Sequence, residues 1–464
     1  MSINLVNTLK NLLGPGGWLE GPDVTPYSTD IYGQQGHVIL VARPENTSEV
    51  SQTVSACAKA GVQIIPQGGN TNVCRMAVPL KGQEVVILSL ARMNRIINVD
   101  PECSTITAEA GCIMQTLQAA AIAADRIFAP DWGARGTAMV GGAVATNGGG
   151  QNVLRYGTTR EQVLGMEVVL PDGRIWDGMR ALRKDNSGYD LKHLFIGSEG
   201  TLGVITKLVF KLHPYQPVRQ SMIAILADMG RLMEFLDIAQ GVGGEKLVAF
   251  ELMPGIGIEK ALKRYPDLQR PLNAKSDWYV LIKLTGKESV EEHLAEIFEA
   301  GFEKGILEDA VISQNLAQEN NLWEIREQMI PKQYFERRLL KWDVSVPINK
   351  IVPFLDASEQ IAKKLQKTAI SYAVGHVGDG NIHYSIFPEG EEGPELDALS
   401  EKYYREIDAL VWSHGGSIVA EHGVGALFID RVRSQKSGIE MELMQLLRKS
   451  FDPQGIMNPG KLIA

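Results

Sequence analysis

The sequence predicts an α+β protein in two main parts, and three observations point to it. Near the start, residues 37–66 read as a strand–helix–strand unit. Two glycine-dense stretches follow, at 67–72 and 131–150. Beyond Gln216 the pattern changes to strand-like runs separated by charged helical ones, the alternation of an α+β domain. The chain therefore divides into a helical segment 1–36, a first domain 37–215, a second domain 216–415 and a closing segment 416–464.

A chain of 464 residues has room for two or three domains and a large core. A net charge of −9 and a pI near 5.5 argue against nucleic acid as the main partner. No apolar run approaches the roughly 18 residues of a membrane span. Cys57, Cys74, Cys103 and Cys112 form no CxxC pair. They read as free thiols in a reducing compartment, and the expectation is a cytoplasmic protein.

In chain order, Leu5, Leu9 and Leu12 recur at helical spacing until Gly14-Pro15 stops the helix. Lys10 is the one base in that segment, which does not suit an Arg-rich transit peptide. His37–Pro44 reads as a buried strand. Asn46–Ala60 reads as a helix with Thr47 or Ser48 as cap, a stripe of Val50, Val54 and Cys57, and Gly61 as its end. Val62–Pro66 is a second strand, and Gln67-Gly68-Gly69-Asn70-Thr71-Asn72 turns after it with many backbone N–H groups, which suits a phosphate or simply a turn. The run from Asp131 to Gly150 carries too many glycines for good helix or strand; it suits backbone laid against a flat or charged ligand. Gln162–Leu170 and Ile175-Trp176 form a hairpin around Pro171-Asp172-Gly173-Arg174. Further on, Met222–Leu226 and Trp278–Leu284 read as strands, and 289–301, 315–329 and 395–414 as helices.

The chemistry concentrates late in the chain, where four of the eight histidines fall between 376 and 422. His376 and His383 are seven residues apart, about 23 Å on one straight strand and on opposite faces of it. Between them Gly378-Asp379-Gly380-Asn381 is a turn cluster. Taken as a hairpin loop, it sets His376 directly opposite His383, where two imidazoles can share a cation. Glu421 then completes a two-histidine, one-carboxylate set with an open position, as in catalytic metal sites. Zn²⁺ suits this set best, with Mn²⁺ or Fe²⁺ as alternatives. His422 is left beside it as a base, and plain structural histidines remain the other reading of the same pattern.

PQGGNTN, VGGAVATNGGG, LRKDNSGYDLKHLFIGSEGTLGVIT and NPGK resemble the vanillyl-alcohol-oxidase-type flavoproteins. Within these the chain is most similar to the D-2-hydroxy-acid dehydrogenases, above all their D-2-hydroxyglutarate branch. The resemblance implies a split FAD-binding domain, completed by the closing segment, and a separate substrate domain. It assigns FAD to Gln67, Gly68, Gly69, Asn70, Thr71, Thr137, Gly141, Gly142, Thr146, Asn147, Gly149, Gly200, Ile205 and Asn458. With no histidine in the first glycine turn, non-covalent FAD is expected. Arg326 and Lys341 match residues that grip substrate carboxylate; for Lys341 an ion pair with Asp343 is the alternative.

The resemblance further implies a D-2-hydroxy acid chelated through its hydroxyl and one carboxylate oxygen. His422 takes the proton and hydride passes to flavin N5, giving a 2-oxo acid. An electron-transferring flavoprotein or a quinone is the implied acceptor. Two positions depart from the hydroxyglutarate pattern: Ile330 stands where a threonine is usual, and Ser385 where an asparagine is. They leave D-lactate or a longer, more apolar D-2-hydroxy acid as alternative substrates. A zinc hydrolase and a non-catalytic flavin electron carrier are readings of other classes. The sequence leaves the oligomeric state open, a homodimer included.

Overall fold

The computed structural model describes residues 2–34, 36–329, 338–390 and 392–463. It contains two compact units, one of residues 1–150, 157–215 and 421–464, the other of 151–156 and 216–420.

The first unit begins with α1 (Ser2–Leu13), which buries Leu5, Leu9 and Leu13 on one face. Leu12 of the expected stripe is only partly buried, because a spacing of four keeps closer to one line of the helix. Next come β1 (His37–Ala42), α2 (Thr47–Ala60), β2 (Gln63–Gln67) and β3 (Glu84–Ser89). The cap of α2 is Asn46, whose side chain accepts from Glu49 N at 3.0 Å. Thr47, expected there, lies inside the helix and donates its hydroxyl to Glu167. Val50, Val54 and Cys57 form the buried stripe, and Gly61 ends the helix at φ +65°. β1 and β2 both pair parallel with β3, and Trp18–Leu19 adds antiparallel to β1.

A second, antiparallel sheet contains β4 (Ile96–Asp100), β5 (Thr105–Glu109), β6 (Val163–Val169), β7 (Ile175–Gly178) and β8 (Val204–Lys211), in the order β7-β6-β8-β5-β4. The glycine-rich run, expected to be poor helix or strand, is in part a helix: Val140–Thr146 is α3. The glycines there serve packing. A Cβ on Gly141 would lie 2.6 Å from Ala110 Cβ, and one on Gly148 would lie 2.9 Å from the Trp132 ring. Backbone contact this close outweighs glycine's poor helix propensity.

The second unit is a seven-stranded antiparallel sheet of β9 (Val218–Leu226), β10 (Leu247–Pro254), β11 (Trp278–Gly286), β12 (Leu307–Ile312), β13 (Leu340–Ser345), β14 (Ile370–His376) and β15 (Asn381–Phe387). Their order is β12-β9-β11-β10-β14-β15-β13. Leu322, Trp323 and Ile325 of α4 (Leu316–Glu327) share one core with Ile223, Ile225, Leu281 and Val374. α5 (Pro394–Ser413) closes this unit's run of helices.

The chain then rejoins the first unit. α6 (Gly438–Phe451) starts with a capping box between Ser437 and Glu440. After it, Ile456 O accepts from Ile64 N, and Asn458 N donates to Ile64 O, each at 2.8 Å. The Arg448 guanidinium donates to the carbonyls of Met457, Lys461 and Ile463. No helix among the described residues is long and apolar enough to cross a membrane.

Candidate active site

All of the residues expected to hold FAD belong to the first unit, and most of them converge. The two glycine-rich turns abut: a Cβ on Gly69 would lie 2.0 Å from Thr137 O, and one on Gly68 would lie 3.3 Å from Met139 Cβ. Gly200 lies against Pro66 in the strand before the first turn. Asn458 joins both regions, donating from Nδ2 to Met76 O at 3.1 Å and to Glu199 O at 2.6 Å. Asn70, Asn147 and Asn458 all take the left-handed conformation, at φ +52°, +53° and +39°.

Some expected contacts are already engaged within the protein. Gln67 donates to Tyr27 O and Ala77 O, Thr146 turns back to Ala143 O, and Asn147 Oδ1 receives Thr158 Oγ1 and Arg160 N. Ile205 is buried and Thr71 exposed. Two features fit a bound cofactor. Asn70 Oδ1 and Asn458 Oδ1 are buried without a hydrogen-bond partner among the described residues. A Cβ on Gly142 would meet nothing within 4 Å, so its backbone offers an open surface.

The Glu421-His422 doublet also lies in the first unit, on a loop held at several points. Glu421 Oε2 accepts from Gly150 N at 2.7 Å, and His422 Nε2 lies 3.8 Å from Glu421 Oε1. The glycines after it are obligatory: Gly423 has φ +83°, and a Cβ on Gly425 would lie 2.0 Å from Cys74 O. Glu199 accepts from Val424 N and Gly425 N at 2.7 and 2.9 Å. Burial pushes the Glu199 carboxyl up to about 7, against the pull of those two N–H groups and of Lys461. Burial likewise draws Lys461 down to about 8. Neither side chain was singled out from the sequence. A charged residue inside the glycine-rich IGSEGTLG was the available signal.

In the second unit the two imidazoles do lie together, with ring centroids 5.5 Å apart and planes at 85°. The expected register is corrected, however. His376 pairs with Asn381, and His383 pairs with Val374. The loop is 377–380, because Val377 enters a 3₁₀ turn and Gly380 takes φ +85°. The register therefore slips by two residues, which preserves the face, and the rings become diagonal neighbours.

The ladder shows what else shares that face. Glu251 is the Cα partner of His376, Asp343 of His383, and Lys341 of Ser385. His376 Nδ1 lies 2.5 Å from Glu251 Oε1, and His383 Nδ1 lies 3.5 Å from Asp343 Oδ1. Asn381 Nδ2 donates to Asp343 Oδ1 at 2.9 Å. Arg326 reaches the same face from α4, with Nε and Nη2 at 2.9 and 2.8 Å from Glu251 Oε2. Burial alone would raise the Glu251 carboxyl, but His376 and Arg326 override it and draw it down to about 2. An ionised carboxylate only accepts, so the His376 nitrogen that faces Glu251 is the one suited to carry a proton, and Nε2 is the nitrogen turned away from it. Carboxylates behind ligating histidines are the usual outer partners of a metal, so this donor set fits a divalent cation. Ser385 is buried and Lys341 exposed, while Ile330 lies outside the described residues. Sequence reasoning missed Glu251. Its signal is a lone charge in LVAFELMP, a strand buried at every position.

Two family models match the chain. Residues 38–178 match the FAD binding domain model, and residues 216–462 match that of FAD linked oxidases, C-terminal domain. A rice (Oryza sativa subsp. indica) protein named probable D-2-hydroxyglutarate dehydrogenase, mitochondrial, is 35% identical over 99% of this chain and 81% of its own length. A Schizosaccharomyces pombe protein named putative D-lactate dehydrogenase, mitochondrial, is 33% identical over 99% of this chain and 90% of its own. The crystal structure of p-cresol methylhydroxylase with substrate bound shares the fold, with a TM-score of 0.76 at 19% identity over 99% and 96% of the two chains. The cytoplasmic placement expected above does not stand, since both relatives are named as mitochondrial proteins. Free thiols report a reducing environment, not an address.

Proposed function

The chain belongs to the FAD-linked oxidase family and is an FAD-dependent oxidoreductase, and from that premise we propose that it oxidises a D-2-hydroxy acid, D-2-hydroxyglutarate first, to the 2-oxo acid. What supports this reading above all is the pair of adjacent imidazoles, each with a carboxylate at its Nδ1 side. Such a pair is arranged for a Lewis acid, and the substrate's hydroxyl and carboxylate suit one.

In this reading His376, His383 and Glu421 are the residues that would hold the cation. A bound divalent metal supplies acidification of a coordinated hydroxyl, and bound FAD supplies the two-electron acceptor. His422 takes the hydroxyl proton at a ring nitrogen, its side chain being about 40% exposed and its loop anchored by Glu199. Arg326 and Lys341 hold the substrate anion, the first as a planar fork and the second as a point charge. Asn70, Gly142 and Asn458 line the cofactor's place in the first unit. An electron-transferring flavoprotein or a quinone then takes the electrons.

A relative named for D-lactate keeps a second substrate in play. One experiment separates the readings. The yellow enzyme is mixed anaerobically with D- and L-2-hydroxy acids while flavin absorbance is followed. D-2-hydroxyglutarate should bleach it fastest, with its L enantiomer inert. Much faster bleaching by D-lactate or an aliphatic D-2-hydroxy acid overturns the substrate assignment, and no bleaching by any of them overturns the reaction.

A further inference from the structure

Glu251 stands in a costly place. It lies mid-strand in β10, is 1% exposed, and its neighbours along the strand are all buried. A carboxylate there is tolerated only if it is paired and hydrogen-bonded. Its two oxygens divide the work. Oε1 meets His376 Nδ1 at 2.5 Å, while Oε2 receives Nε of Arg326 and lies 2.8 Å from its Nη2. One side chain thus touches both a histidine read as a metal ligand and the guanidinium read as the substrate clamp.

A purely structural role accounts for it poorly. α4 is already docked by Leu322, Trp323 and Ile325 in the apolar core, and Trp323 Nε1 donates to Ser221 Oγ at 2.9 Å. Apolar residues of similar volume stabilise such a position as well as a buried ion pair does, or better. What apolar residues cannot do is fix an imidazole tautomer and a guanidinium plane together. The other histidine has a looser partner: Asp343 is 3.5 Å from His383 Nδ1 and shares its oxygen with Asn381.

We propose that Glu251 is a positioning residue that couples the metal site to the substrate-anion site, holding His376 as the Nδ1–H tautomer with one oxygen and Arg326 in plane with the other. This rests on reading His376 as a metal ligand and Arg326 as the anion clamp.

The test uses the full-length, flavin-loaded protein stripped of divalent metal, with Zn²⁺ as the probe. Zn²⁺ affinity is measured by chelator competition in the wild type, in Glu251→Gln and in His376→Ala. ¹⁵N-histidine spectra report the His376 tautomer. Wild type should show Nδ1–H. Glu251→Gln should lose that preference and bind Zn²⁺ roughly 10- to 100-fold more weakly, the usual loss for an outer partner of a ligand. Its KM for D-2-hydroxyglutarate should rise as the Arg326 plane loosens. Lower thermal stability with unchanged Zn²⁺ affinity and tautomer is the mark of a structural role and overturns the inference. Wild type that binds no Zn²⁺, or binds it as tightly after His376→Ala, overturns the reading of the hairpin and this inference with it. Should Glu251→Gln fail to fold, wild type decides: His376 carrying its proton on Nε2 overturns the inference.

Discussion

Glu199 in the first unit and Glu251 in the second are both sealed from solvent, yet they sit at opposite ends of the carboxylate range. Glu199 has two backbone N–H groups and a distant ammonium, and burial wins, pushing it up to about 7. Glu251 has a guanidinium and an imidazole in direct contact, and they win, drawing it down to about 2. The difference reflects how each unit builds its site. The first arranges backbone: glycines at close approaches, left-handed asparagines and a pinned loop. The second arranges ionisable side chains across four strands of a sheet.

The sharpest way to separate the two is to remove the base alone. His422→Ala should keep its flavin and its fold, while substrate reduces that flavin roughly 10² to 10⁴ times more slowly, the span of general-base catalysis. Stopped-flow absorbance reads this directly, and a reduction rate within tenfold of wild type ends His422's role.

A single methyl should break the backbone-built site. Gly69→Ala would set a Cβ 2.0 Å from Thr137 O, and moving the two turns apart costs on the order of 1–3 kcal/mol. At 1.4 kcal/mol per tenfold, flavin affinity should fall by about one to two orders of magnitude. The purified protein should be pale, whereas His376→Ala should stay yellow and lose its metal instead. A fully yellow Gly69→Ala protein would erase the contrast between the units.

The two glutamates predict opposite pH limbs. The folded pKa of Glu251 lies below its unfolded value, so its contribution is present above about 4.5 and is lost as pH falls toward 2. That of Glu199 lies above its unfolded value, so its contribution is present below about 4.5 and is lost as pH rises through 7. Glu251→Gln should flatten the acid limb of stability and Glu199→Gln the neutral one, measured by denaturant unfolding across pH with amide exchange reporting each unit.

The smallest effect concerns the thiols. Cys103 is exposed while Cys57, Cys74 and Cys112 are buried, with burial pushing Cys57 and Cys112 up to about 12. One thiol should label rapidly in native protein and four in denaturant; three rapid labels would mean a looser first unit than described.

The backbone-built half was largely legible in the sequence, because glycine and asparagine must stand where the chain turns left-handed or touches itself, and Gly69, Gly61 and Gly425 advertise that locally. Helix α3 was not legible, since the contact that licenses Gly141 comes from Ala110, distant in sequence. The side-chain half was legible only in part. His376 and His383 announce themselves, but Glu251 lies 125 residues from its histidine and Asp343 lies 40 from its own. Such partners follow from strand order, which β10 and β13 set through pairings that no local pattern encodes. The hairpin register failed by two residues because the loop is 377–380, with Gly380 at its left-handed corner, and not 378–381.

The pairing of Ile64 with residues 456–458 bears on how the molecule is made. β2 leaves the ribosome early, but the segment that closes its open edge emerges almost four hundred residues later. Residues 151–156 and 216–420 between them form a compact unit of their own, and domains generally fold as units. The domain translated first is therefore finished last, and a nascent chain stalled anywhere before residue 456 exposes an unpaired strand edge to its neighbours.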